Sequence, residues 1–72
     1  MLSELYTQAE MLIFFDWCKE NVEEFEESDC DESCHYYVDD IMIGGWAGDA
    51  QQYFLKDDDK TKALLQECFQ KS

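Results

Sequence analysis

Between residues 7 and 26 the apolar positions recur with a helical period. Met11, Phe14, Phe15, Cys18, Val22 and Phe25 fall at i, i+3, i+4, i+7, i+11 and i+14, one stripe of an amphipathic helix. Thr7 followed by Glu10 forms a capping box at its start. Asp16, Glu20, Glu23 and Glu24 lie opposite the stripe and point to water. Residues 1–6 extend the helix by a turn, with Ser3 as a competing N-cap. Leu2, Leu5, Ala9 and Leu12 make a second apolar stripe, so the N-terminal half is expected to be covered on most sides. Trp17 lies between the two stripes.

The pattern is less clear after residue 26. EESDCDES (26–33) reads as a turn by composition. CHYYVDDIMI (34–43) fits two periods. As a helix it places Cys34, Tyr37, Val38 and Ile41 on one face; as a strand it puts Asp39 with Tyr37, Ile41 and Ile43. Tyr, Val and Ile favour strands by propensity, but the periodicity favours helix. Gly44 and Gly45 then serve as a C-cap pair. Residues 46–48 connect to a short helix, AQQYFLK, capped by Asp49. Asp57, Asp58 and Asp59 break that helix and cap a last one, KTKALLQECFQK, with Leu64, Leu65, Cys68 and Phe69 inward and Lys71 at its C-terminus. Proline is absent. The prediction is a single all-α domain over residues 1–72, three to four helices packed around the N-terminal one.

Charge adds a partner to this picture. The 72 residues carry 18 acidic and 5 basic side chains, a net charge of −13. Solubility alone takes a net charge of roughly 2–8 in magnitude for a small domain, and self-repulsion destabilises a compact state. The excess points to a strongly basic partner. It disfavours nucleic acid, heparin-like polymers and anionic lipid, which share its sign. The apolar run at 11–15 is too short for a membrane span or a signal peptide. The expected location is therefore cytoplasmic, with reduced cysteines.

The acids are clustered. Glu20, Glu23, Glu24, Glu26, Glu27, Asp29, Asp31 and Glu32 put eight carboxylates into thirteen residues; Asp39 and Asp40, and Asp57, Asp58 and Asp59, make two further groups. Like charges at i, i+3 and i+4 destabilise a helix by a few tenths of a kcal/mol per pair, so the clustering does not serve stability. Carboxylates about 5–6 Å apart repeat on a scale comparable to phosphates along a nucleic-acid strand. They could occupy the lysines and arginines of a nucleic-acid site. In length and charge the chain resembles small acidic inhibitors encoded by phages and mobile elements, including anti-CRISPR and antirestriction proteins, several of which mimic nucleic acid. The resemblance implies a host defence effector as target and, if the chain is phage-encoded, the host-cell cytoplasm as location.

Other chemistry is thinner. Cys30, Cys34 and His35, with Cys18 or Cys68, are zinc-ligand types at a non-standard spacing. A calcium loop starting at Asp29 has Cys34 where glycine is needed and Asp40 where a bidentate glutamate is needed; one starting at Asp57 has Lys62 and Cys68 at those positions. One histidine, no arginine, no Gly-rich phosphate loop and no nucleophile elbow give catalysis little footing. No cofactor and no metal are expected. Trp17, Tyr36, Tyr37 and Trp46 are many aromatics for so small a core; they either anchor a partner groove or complete the core or a homodimer seam. The expected function is a non-enzymatic acidic inhibitor that covers the nucleic-acid site of a basic protein, through the acids above and Trp46. The alternatives are an adaptor or regulatory subunit docking through Trp46, Tyr36 and Tyr37, or a zinc-stapled domain.

Overall fold

The computed structural model describes residues 2–70. A 3-10 turn (Leu2–Glu4) leads into helix α1 (Gln8–Asn21). Four strands follow, β1 (Phe25–Cys30), β2 (Ser33–Val38), β3 (Ile41–Ala47) and β4 (Gln52–Leu55), and helix α2 (Asp59–Phe69) closes the chain. The strands form one antiparallel sheet in the order β1-β2-β3-β4. The protein is α+β, which overturns the all-α expectation.

The N-terminal helix follows its sequence signals. Thr7 Oγ1 accepts from Glu10 N (3.1 Å), and Glu10 Oε1 accepts from Thr7 N (2.8 Å). Met11, Phe14, Phe15 and Cys18 are buried. The helix stops at Asn21, so Val22 and Phe25 reach the core from the helix cap and from β1. The second stripe is not covered: Leu5 is 72% exposed and Leu12 42%, and Ala9 is also exposed. Only Leu2 of that stripe packs on the core. Both helices lie on the same face of the sheet, which supplies Val38, Ile43 and Leu55 to the core; α2 adds Leu64, Leu65 and Cys68. Each large core side chain contributes about 1.5–3 kcal/mol through burial.

The middle stretches, read as a turn by composition and then as two helices, form the four strands. In β2, Tyr36 stacks on Phe25 and packs against Phe15, while Tyr37 faces the other side of the sheet. Two-residue turns make the first two hairpins, and four residues (48–51) join β3 to β4. Asp39 and Asp40 both take positive φ (55° and 66°), the backbone of a type I′ turn, and Asp31 takes φ 53° between β1 and β2. Aspartate tolerates this conformation better than most residues. The register slips once between β2 and β3, where Tyr36 pairs with Gly44 and Tyr37 with Met42, leaving Ile43 as the extra residue. That slip hides the period-two alternation, because Ile43 and Gly44 are buried in succession.

Gly44 and Gly45 are not a helix cap. They lie in the middle of β3, because a Cβ on Gly44 would meet the Phe54 carbonyl and the Phe15 ring, and one on Gly45 the Cys34 carbonyl. Trp46 and Ala47 continue β3, and the expected helix after Asp49 is a turn followed by β4. The last helix begins as expected: Asp58 is its N-cap and accepts from Lys60 N (2.9 Å). Lys71, expected at its end, lies outside the described residues, as does Met1. Among the described residues no helix is long and apolar enough to cross a membrane.

Candidate protein-binding surface

The fold divides the acidic residues between the two ends of the sheet. Glu26, Glu27 and Asp29 lie on β1, and Asp31 and Glu32 form its turn into β2. Asp49 joins them from the β3–β4 turn: Gly48 packs against the Glu32 backbone and Cβ, and Asp31, Glu32 and Asp49 share one open depression with Cys30, Ser33 and His35. Sequence spacing had assigned Asp49 to a helix cap. Nothing local marks its link to Glu32, which depends on strand pairing. All of residues 26–32 are exposed. The cation paired with this end is Lys19, whose Nζ lies 3.8 Å from Glu27 Oε1.

At the opposite end Asp39 and Asp40 turn β2 into β3, and Asp57, Asp58 and Asp59 lead into α2. Here the charge is partly compensated. Lys60 Nζ lies 3.2 Å from Asp39 Oδ2. Asp57 Oδ1 accepts from Leu2 N (2.9 Å), and Asp58 is engaged as the cap. Lys56 and Lys62 belong to the same stretch. Glu20 sits in the last turn of α1, and Glu23 and Glu24 in the turn before β1; all three are exposed. The expected acidic wall of a helix is therefore in large part a β-ribbon; it runs from Glu26, paired with Tyr37 close to the Asp39–Asp40 turn, to Asp31 and Glu32 at the far end of the sheet.

Alternation along the strands also sorts the aromatic and thiol groups. On the helix-covered side, Trp46 packs edge-on to Tyr53 (centroids 4.9 Å, 68°), and Tyr36 lies against Phe15 (4.4 Å). On the uncovered side, half-buried His35, Tyr37, Met42 and Phe54 line the sheet. His35 and Phe54 meet edge-to-face at 6.3 Å across Gly45. Trp46 and Tyr36 are thus on the side opposite Tyr37, and the three do not form one docking patch.

The zinc set is split in the same way. Cys30 and His35 line the open depression, Cys34 is on the helix side, and Cys18 and Cys68 are in the core. Cys34 has other neighbours: its Sγ donates to Glu27 Oε2 (3.5 Å), and ligand atoms of Glu27, Asp29 and Cys34 lie within 4.8 Å of one another. A soft divalent ion would require the Cys34 thiolate. Desolvation, with the Asp29 and Glu27 carboxylates adding to it, pushes that thiol up to about 11, so an ion binding there would have to displace its proton.

The thiols give a direct check of these positions. Cys18 is fully buried and burial pushes its thiol up to about 12, with Cys68 and Glu67 adding to the shift. Cys30 is exposed. At pH 8 an aromatic disulfide reagent is expected to titrate Cys30 quickly, the half-buried Cys34 more slowly because of its raised value, and Cys18 and Cys68 only as the protein unfolds, with Cys30→Ser abolishing the fast phase. The raised folded value also sets a sign. The neutral thiol of Cys18 contributes stability that is complete below its unfolded value of 9.0 and is lost as pH rises from there toward about 12. Thermal melts should accordingly show the midpoint falling over that window.

No protein-family model, curated protein sequence or solved structure matches the chain.

Proposed function

We propose that this protein is an acidic binding module that occupies the cationic, nucleic-acid-binding surface of a partner protein and competes with the nucleic acid. A host defence effector suits such an inhibitor. The observation that carries the reading is the order of the acidic ribbon. Glu26, Glu27, Asp29, Asp31 and Glu32 ride on a paired hairpin with fixed register rather than on a loose loop. Asp49 adds to the same end, and one lysine pairs with it. A preorganised anionic array loses little conformational entropy on binding, so its charge is available for recognition.

The test is competition. The immobilised protein should retain from a nuclease-treated lysate a protein that added nucleic acid displaces. That protein, purified, should lose its nucleic acid when the acidic domain is added. Affinity should fall steeply between about 0.05 and 0.5 M salt, as surface charge is screened over a few ångströms. Binding that ignores salt, or leaves the partner's nucleic acid in place, would refute the inhibitor.

A second reading has its own observation. The uncovered side of the sheet presents His35, Tyr37, Met42 and Phe54 half-buried, without a helix over them. An adaptor would use this side and tolerate loss of the ribbon's charges.

A further inference from the structure

The sheet has two edges, and the chain treats them differently. The outer edge of β4 is sealed by side chains. Gln8 exchanges two hydrogen bonds with Tyr53: its Nε2 donates to the Tyr53 carbonyl (3.1 Å), and its Oε1 accepts from Tyr53 N (2.6 Å). Ser3 does the same for Leu55, its hydroxyl accepting from Leu55 N (2.8 Å) and donating to the Leu55 carbonyl (3.1 Å). Two side chains thus stand in for a fifth strand.

β1 has no such cover. Cys30 and Ser33 flank a two-residue turn and so exchange the closing pair of ladder bonds; the alternation of an antiparallel pair then turns the backbone groups of Asp29 and Glu27 outward. Among the described residues no side chain takes them up, and residues 26–30 are all exposed. A bare edge of this length invites another strand. Its side chains decide which one. A second copy would set Glu26, Glu27 and Asp29 against their like, which is destabilising across strands, whereas opposite charges there are favourable. The edge therefore rejects itself and admits a cationic strand.

We propose that the outer edge of β1 is a strand-addition site for an extended, lysine- or arginine-bearing segment of the partner. Backbone bonds to Glu27 and Asp29 fix the register, and alternate basic side chains meet Glu27 and Asp29 on one face and Glu26 on the other. The inference rests on the basic-partner reading above and adds how that partner is held.

The probe is a capped heptapeptide of alternating lysine and valine, measured by fluorescence anisotropy at low salt. The control is the same peptide with every backbone amide N-methylated, which keeps the charge and removes the donors. The N-methylated peptide should bind at least tenfold more weakly to the unaltered protein, the effect of about one to two lost hydrogen bonds. Asp29→Pro and Asp29→Asn remove the same charge, but only the first removes the outward N–H, at an edge position where proline leaves the inner ladder intact. Asp29→Pro should therefore bind the unmethylated peptide several-fold more weakly than Asp29→Asn. Hydrogen exchange at the Glu27 and Asp29 amides should slow when that peptide binds. Equal binding of the two peptides would overturn strand addition and leave the charged-surface reading standing. Absence of binding by the unmethylated peptide would overturn it too, while competition with the captured partner's nucleic acid would still decide the inhibitor on its own.

Discussion

Gly44→Ala is expected to remove most of the stability of the fold and leave it marginal at 25 °C. The added methyl would fall against the Phe54 carbonyl and 2.9 Å from Phe15 Cζ. Neither neighbour can give way cheaply. Phe54 pairs with Gly45 in the β3–β4 ladder, so its carbonyl moves only with the strand. The Phe15 ring is 2% exposed and held between Tyr36 and Tyr53. Overpacking of a core costs typically 1–3 kcal/mol and more where backbone must shift, and we expect about 3 kcal/mol here. A domain of this size rarely holds more than about 3–5 kcal/mol in total. Circular dichroism melts should show a cooperative transition for the parent and, for the variant, a midpoint lower by about 12–24 °C. A midpoint within about 5 °C of the parent would mean a cost near 1 kcal/mol and would contradict the close approach of α1 to β3.

Neutralising the ribbon should have the second large effect, on binding. The fourfold change Glu26→Gln, Glu27→Gln, Asp31→Asn and Glu32→Gln removes charge while keeping side-chain size. Each partly exposed cross-interface pair is worth about 0.2–1 kcal/mol, and a tenfold change in affinity corresponds to about 1.4 kcal/mol. Four such pairs predict a loss of about a hundredfold for the captured partner, with a shallower salt dependence. Stability should not fall, because the removed charges repel one another and, among the described residues, only Glu27 of the four has a lysine partner. The matched control, Asp16→Asn, Glu20→Gln, Asp40→Asn and Glu67→Gln, takes the same total charge from exposed positions elsewhere. If the two fourfold variants weaken binding equally, net charge alone is acting and the ordered ribbon has no special role.

The adaptor reading makes the opposite forecast for the ribbon variant, so the same titration separates the two functions. It also bears on the split of acidic groups by the fold. Asp39 is paired with Lys60, Asp57 holds Leu2 and Asp58 caps α2. Asp57 and Asp58 accept from backbone N–H groups, whereas the contacts of the ribbon's Glu27 are to the side chains of Lys19 and Cys34, and the clustering of the former reflects turn and cap chemistry. What the composition presents as one acidic surface is thus a binding candidate at one end and a set of structural contacts at the other.

Taken alone, the chain's order of residues determined the two helices, the capping box of Thr7 and Glu10, the Asp58 cap and most of the core stripe from Met11 to Cys18. It also set the net charge of −13, on which the proposal of a basic partner rests. These are local properties: a helix closes its hydrogen bonds four residues away, so its caps and faces are written in nearby positions. The strands were decided only by tertiary structure. A strand finds its bonds on another segment, and the acids of β1 are tolerated because it is an edge beside a strongly strand-forming neighbour. Gly44 and Gly45 looked like a helix stop until Phe15 and the adjoining strands were brought against them. The bulge at Ile43 masked the alternation that marks a strand such as β3. The sealed and the open edge of the sheet are likewise invisible in one dimension, since Gln8 and Ser3 meet β4 across 45 and 52 positions of chain.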